Sequence, residues 1–313
     1  MKILILGAGA IGGYFGARLV QAGADVSFLV RPRRQAQLQG AGLVVRSPHG
    51  DFTVPVRTLL HEQIDAPAEL VLLACKAYDL EAAIGSVAPA VGAGTIVVPL
   101  LNGLAHIDRL QVAFGPERVA GGSCGIPATL TPEGVVQQLG LFHRIVFGLL
   151  PGTAQEALPR LQALLELFER TPVDAALEAQ MMRALWEKFT GLATLAAMTC
   201  LMRGTVGDIV AADDGPRLFE QTFTACVGAA HAAGFAPREA SNQGFRAMWS
   251  DLASKLSASM LRDLESGGRT EGAHVLGDML QRVLAAGLDP GALRAAWCHL
   301  QVAERHRLAA QGG

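Results

Sequence analysis

The sequence predicts an α/β fold in two parts: a doubly wound, mostly parallel sheet flanked by helices, then an all-helical half. Three observations predict it. A glycine-rich turn, Gly7-Ala8-Gly9-Ala10-Ile11-Gly12, joins a short apolar run to a helix-spaced segment. Continuous apolar runs of strand length recur through about residue 149, the pattern of strands covered on both faces. From about Leu177 the strand signal stops and long Ala/Leu/Met-rich segments take over.

Taken in order, residues 2–6 read as a buried strand, 10–22 as a helix and 25–30 as a second strand. Residues 43–45 and 52–56 flank Arg46-Ser47-Pro48-His49-Gly50-Asp51, which reads as a hairpin connection. Residues 70–75 and 95–101 read as interior strands, 135–139 and 143–149 as further strands, and 154–168 as an amphipathic helix. Helices are expected at 179–202, 213–233, 238–262, 271–286 and 290–309, punctuated by Gly234, Gly267-Gly268 and Gly287. The expected boundary falls between residues 1–177 and 178–313.

Composition excludes several classes. The 313 residues hold 26 basic and 28 acidic side chains, a net charge of −2, without the basic surplus of a general nucleic-acid binder. With 50% hydrophobic and 17% charged residues the chain is a folded one, and its length favours two domains. No apolar run approaches the roughly 18 residues of a membrane span. The amino-terminal stretch superficially suits a signal peptide, but its glycines have a better use. Cysteines 75, 124, 200, 226 and 298 lack metal-binding spacing, so reduced, buried thiols of a cytoplasmic protein are expected and no metal. Lysine occurs only at 2, 76, 188 and 255, leaving 22 arginines, and asparagine only at 102 and 242. Positions that keep these residues are candidates for chemistry.

The turn at 7–12 is a G-x-G-x-x-G in the strand–turn–helix setting that dinucleotide binding requires. Gly7 allows the tight turn, Gly9 the approach of a pyrophosphate, and Gly12 close helix–strand packing. Ala10 and Ile11 open the helix whose free N–H groups face the phosphates. An NAD enzyme usually ends the second strand with an acid that holds the ribose 2′-OH. Here the strand runs into Arg31-Pro32-Arg33-Arg34 and Asp25 lies at its other end, so NADP is expected. The blander reading is a solvated basic loop. Lys76 and Asn102 follow two further strands, where ligands of open α/β sheets lie. Alone, they read as a surface cation and an Asn-Gly turn; beside the fingerprint, each points to function. Lys188 precedes a run, 189–202, with no charge; partial desolvation there would lower its pKa toward a useful range. A snorkelling lysine, or a partner for Glu187, fits the composition equally.

Together these residues resemble the ketopantoate reductase family (2-dehydropantoate 2-reductase) along essentially the whole chain. The likeness rests on the fingerprint, Arg31, Ala74-Cys75-Lys76-Ala77, Pro99-Leu100-Leu101-Asn102-Gly103, and Phe-Gly-Pro-Glu-Arg-Val at 114–119 followed by Gly121-Gly122. It continues through Trp186-Glu187-Lys188-Phe189, Ser259-Met260-Leu261-Arg262-Asp263 and Thr270-Glu271. The resemblance implies a Rossmann-type domain and a 6-phosphogluconate dehydrogenase C-terminal-like helical domain for substrate and dimerisation. It implies NADPH reducing the C2 carbonyl of a 2-keto acid, by default ketopantoate to pantoate in pantothenate and coenzyme A biosynthesis. Lys188 would be the general acid. Lys76 and Asn102 would hold substrate and nicotinamide in register. Ser259 would bind substrate, and Glu271 would contact a substrate hydroxyl or steady the lysine.

The sequence departs from that pattern. The family usually places asparagines four and eight residues after the lysine; here Leu192 and Ala196 stand there, and Gly272-Ala273 replaces a common Ile-Asp. Either Ser259, Thr190 or Lys255, one helical turn before Ser259, compensates, or the pocket takes a more apolar keto acid. The alternatives are an opine- or 3-hydroxyacid-type dehydrogenase with another substrate, and a non-catalytic NADP-sensing protein. The helical half also carries apolar faces suited to a homodimer.

Overall fold

A computed structural model describes residues 1–311 and divides into two compact units. The first comprises 1–101 and 106–181; the second comprises Asn102–Ala105 and the chain from Met182 onward.

In the first unit, β1 (Lys2–Leu6), α1 (Ala10–Gln21), β2 (Asp25–Leu29), α2 (Pro32–Ala41), β3 (Leu43–Arg46), β4 (Phe52–Val54), β5 (Arg57–Leu59), β6 (Leu70–Leu73), α3 (Leu80–Val87), β7 (Ile96–Pro99) and α4 (Ala105–Phe114) follow in order. A parallel sheet runs β5-β2-β1-β6-β7. Its order turns at β1, with β2 on one side and β6 on the other, which opens a crevice at their carboxyl ends. Every residue of β6 and β7 is buried, as continuous apolar runs demand. The remainder holds β8 (Gly121–Gly125), β9 (Ala128–Leu130), β10 (Val136–Gln138), β11 (Arg144–Gly148), α5 (Leu158–Phe168) and β12 (Asp174–Leu177). These complete two smaller sheets, β4-β3-β10-β9 and β12-β11-β8. One core, including Ile5, Phe15, Phe28, Leu72, Phe147 and Phe168, lies beneath them.

The second unit contains α6 (Met181–Met202), α7 (Val206–Val210), α8 (Gly215–Ala232), α9 (Glu239–Met248), α10 (Ser259–Glu265), a π-helical turn at Ala273–Gly277, α11 (Asp278–Ala285) and α12 (Ala292–Gln311). Met198, Phe219, Phe223 and Trp249 centre its core.

Several elements differ from the sequence reading. The basic stretch after β2 is the start of a helix: Arg31 is the N-cap of α2 and Pro32 its first residue, where a missing N–H does no harm. The helix expected at 238–262 is broken. It ends at Trp249, whose ring stacks on Phe219 and Phe245, and the chain then runs extended past α7. There the carbonyls of Ser254 and Leu256 accept from the Gly207 and Val206 N–H groups (3.0 and 2.9 Å), which a helix could not offer. Lys255 and Ser259 therefore do not share a helical turn. Cysteines 200 and 226 are buried, and burial pushes both thiols up to about 12; Cys298 is exposed, contrary to expectation, on the outer face of α12.

Candidate active site

The first unit carries a cavity of about 720 Å³ at the carboxyl ends of β1, β2 and β6; Gly7, Gly9, Arg31, Arg33, Arg34 and Cys75 are in its wall. Gly7 leaves β1 at φ +91° while its N–H donates to the Leu29 carbonyl, tying the turn to β2. A Cβ at Gly12 would stand 2.2 Å from the Gly7 carbonyl oxygen, so helix and turn meet directly. No atom lies within 4 Å of a Cβ at Gly9, which leaves its backbone open to a ligand. The first intrahelical bond runs from Gly13 N–H to the Gly9 carbonyl (2.9 Å). The N–H groups of Ala10, Ile11 and Gly12 precede it, and no acid sits in that turn to compete for them.

Basic groups dominate the end of β2. Arg31 and Arg33 are exposed at the cavity wall, and the Arg31 guanidinium lies 3.8 Å from Asp79. Arg34 Nε donates to the Ala8 carbonyl (3.0 Å) and Nη1 to the Gly134 carbonyl (2.9 Å). It thereby braces the glycine turn, while its Nη2 is buried without a hydrogen-bond partner. Asp25, at the far end of β2, is ion-paired with Arg57. An open glycine backbone, unspent helix N–H groups and a spare guanidinium nitrogen fit an anionic dinucleotide. Lys76, half-buried, follows β6, and its carbonyl accepts from the Asp79 N–H (2.9 Å).

In the second unit, Lys188 is half-buried nearly two turns into α6. Glu187 is engaged by Arg238. Its Oε1 accepts from the Arg238 backbone N–H (2.7 Å) and Nε (2.8 Å), and its Oε2 from Nη2 (2.6 Å). Adjacent helix positions diverge, so these two neighbours serve different faces. Four and eight residues beyond Lys188 on the same face come Leu192, half-buried, and Ala196, fully buried. Thr190 offers no replacement amide: its hydroxyl is buried and donates to the Glu187 carbonyl (2.9 Å). Further along α6, Thr199 Oγ1 accepts from the Ala258 N–H (3.4 Å), which seats the start of α10 and its exposed first residue, Ser259. Lys255 is exposed on the extended segment.

Glu271 is buried just before the π-helical turn, and its carbonyl accepts from His274 and Val275 N–H groups (3.1 and 3.0 Å). Half-buried Asn102 begins the short segment that belongs to this unit, and Gly103 follows at φ +80°. The structure thus gathers Gly7, Gly9 and Arg31 around one cavity, and gathers Asn102 and Glu271 around His274. Burial pushes the His274 imidazole below the ordinary histidine range, against the pull of Glu271 and Asp278 and of a hydrogen bond with the Asn102 backbone. Sequence reasoning passed over His274; its place three residues after Thr270-Glu271 was the available signal. Among the described residues no cluster of three metal-ligating side chains occurs, and no helix is long and apolar enough to cross a membrane.

The amino-terminal residues 3–152 match the family model "Ketopantoate reductase PanE/ApbA" and residues 180–302 match its C-terminal counterpart. The chain belongs to the ketopantoate reductase family. It is an oxidoreductase of this family. An uncharacterized oxidoreductase, YkpB, of Bacillus subtilis strain 168 is 32% identical over 309 residues, which are 98% of this chain and all of the relative. The crystal structure of 2-dehydropantoate 2-reductase from Geobacter metallireducens GS-15 is 29% identical, with a TM-score of 0.85 over 97% of this chain and all of that one. The ternary structure of D-mandelate dehydrogenase with NADH and anilino(oxo)acetate shares the fold at 17% identity, with a TM-score of 0.85 over 98% of this chain and 99% of that one.

Proposed function

We propose that the chain reduces a 2-keto acid with NADPH, with ketopantoate as the default substrate and pantothenate synthesis as the setting. The observation that carries this reading is Lys188, half-buried on α6 at the head of a run, 189–202, without charge. When bound, the nicotinamide supplies the hydride for the C2 carbonyl. Lys188 Nζ donates the proton to the oxygen that becomes the alcohol. The Asn102 amide and Lys76 ammonium hold the reactants in register, Ser259 hydrogen-bonds the substrate, and Glu271 contacts a substrate hydroxyl or steadies Lys188. Ala10, Ile11 and Gly12 N–H groups receive the pyrophosphate, and Arg31 the 2′-phosphate; that β2 ends in Leu29 and the first turn of α2 holds no acid supports NADP over NAD. The enzyme works in the cytoplasm, and a homodimer through the helical half is the expected assembly.

A specific observation favours a second substrate class. Leu192 and Ala196 replace amides, and Thr190 spends its hydroxyl inside α6. A pocket without those donors suits branched or aromatic 2-keto acids. NADPH oxidation is measured with ketopantoate and with a panel of branched and aromatic 2-keto acids. No turnover of ketopantoate at millimolar concentration, with NADPH binding intact, removes it as substrate. No turnover of any member removes the reductase assignment. Leu192→Asn with Ala196→Asn should shift preference toward the hydroxylated acid.

A further inference from the structure

Outside the residues already given roles, the side chain most closely built into this site is His274. It lies in the π-helical turn Ala273–Gly277, three residues after Glu271. Such turns are rare and recur at functional sites. Its imidazole is hydrogen-bonded to the Asn102 backbone and feels the Glu271 carboxylate. The fit to the Asn102-Gly103 turn is close. A Cβ placed on Gly103 would stand 2.9 Å from the His274 carbonyl oxygen, 3.0 Å from Cδ2 and 3.4 Å from Nε2. The Cδ2–Nε2 edge of the ring therefore lies close against the turn, at a residue whose φ of +80° already favours glycine. The charged groups facing the ring are Glu271, Asp278 and Arg282, the last two paired with each other at 3.0 Å.

We propose that His274 is a positioning residue: it fixes the Asn102-Gly103 turn and so aims the Asn102 amide, while standing beside Glu271. It neither gives nor takes the reaction's proton. The proposal rests on the reading of Asn102 and Glu271 as site residues. Its physical basis is that orientation of a reacting pair is sensitive to shifts of about 1 Å, which can reduce rate about a hundredfold. A neutral imidazole suits the task, because it anchors a backbone polar group without adding charge beside the carboxylate.

The test uses the full-length protein with His274→Ala and His274→Gln, since the glutamine amide can occupy the place of Nε2. Three quantities are read: amide hydrogen exchange at residues 102–105, the NADPH dissociation constant, and kcat and KM with whichever 2-keto acid the wild type turns over. His274→Ala should speed exchange at 102–105 and lower kcat about 10- to 100-fold. KM should change less than threefold and NADPH affinity less than twofold. His274→Gln should restore both exchange and kcat to within about threefold of wild type. Unchanged exchange in a folded His274→Ala protein overturns the proposal, as does a glutamine variant no better than alanine. If the wild type reduces no 2-keto acid while exchange responds as stated, the anchoring of the Asn102-Gly103 turn by His274 stands, and the reaction assignment falls together with the amide's part in it.

Discussion

Two glycines of one motif should respond in opposite ways to the same added methyl group. At Gly12 a Cβ would lie 2.2 Å from the Gly7 carbonyl oxygen, about 1.2 Å inside the 3.4 Å at which ordinary contact begins, and 3.1 Å from Ala74 Cβ. Neither is the end of a flexible chain, so α1 must move away from the turn. Overpacking of this kind costs about 1–3 kcal/mol, which for a unit of this size lowers Tm by roughly 2–12 °C. At Gly9 no protein atom lies within 4 Å, and φ −82° with ψ −157° is open to any residue. Gly9→Ala should therefore leave Tm unchanged or raise it slightly. The methyl instead occupies the space proposed for the pyrophosphate. A clash of about 1–3 kcal/mol there weakens NADPH roughly 5- to 150-fold. Thermal melts of both apo variants and fluorescence titration with NADPH give the two readouts. Gly9→Ala binding NADPH as tightly as wild type would refute the placement of the dinucleotide, and a fall in its Tm like that of Gly12→Ala would refute the packing argument.

Other outcomes follow from the same geometry. Lys188→Ala should lower kcat about 10²- to 10⁴-fold with NADPH affinity within about twofold, by steady-state kinetics and titration. Lys188→Arg should be as inactive, because a guanidinium does not release its proton; retained turnover in either removes the general-acid role. Arg31→Ala should weaken NADPH about tenfold, the discounted worth of an exposed charge-assisted bond, and leave NADH within about twofold. Equal losses for both cofactors would deny it the 2′-phosphate. His143, whose Nδ1 lies 2.6 Å from the Tyr14 hydroxyl and whose ring stacks on His49, is held below the ordinary histidine range, first by burial and then by His49 and Arg18. Its folded pKa lies below its unfolded value of about 6.5, so the unfolded chain takes up the proton first. Its contribution to stability is present above about pH 6.5 and is lost as pH falls from there toward the folded pKa. Melts from pH 7.5 to 5 should show Tm falling, with a shallower fall in His143→Gln; equal slopes remove His143 as a cause.

What was legible in the sequence followed from how many interactions each segment answers to. The central strands were readable because strands buried on both faces must be apolar throughout, and β6 and β7 are. The glycine turn was readable because backbone geometry at Gly7 and packing at Gly12 leave few other residues possible. Strands β5, β8, β9 and β12 escaped because they are short, and two of them carry almost no large side chains: Gly121-Gly122-Ser123-Cys124-Gly125 and Asp174-Ala175-Ala176-Leu177 pair through the backbone with β11. No local pattern announces a partner that distant. The break in the helix expected at 238–262 was illegible for the same reason. It depends on carbonyls of residues 254 and 256 meeting N–H groups some fifty positions earlier. In the site, residue types placed after strand ends could be nominated one by one. The clustering of Asn102, Glu271 and His274 could not, since a π-helical turn and a two-residue close approach create it.

Lysine is scarce in this chain, and burial sets its four occurrences apart. In an arginine-rich chain four lysines are candidates on equal terms, because each marks a place where arginine did not take over. Burial separates them. Lys2 and Lys255 are exposed, where water solvates either cation and the choice has little consequence; Lys76 and Lys188 are half-buried. In partly desolvated surroundings the two cations are no longer equivalent. An ammonium is a compact donor whose pKa moves with its environment, whereas a guanidinium stays charged and fans its donors over a plane. A proton donor must belong to the first kind, and a grip on phosphate is better made by the second, which is what stands at Arg31 and Arg34. Leu192 and Ala196 bear on a different question. Amides in a recognition site serve a substrate with polar atoms to meet them, so apolar side chains at these two positions on the lysine's own face would, on the proposed reading, alter the substrate and not the proton transfer. On the proposed reading, the proton transfer and the identity of what is reduced rest on different residues of one helix.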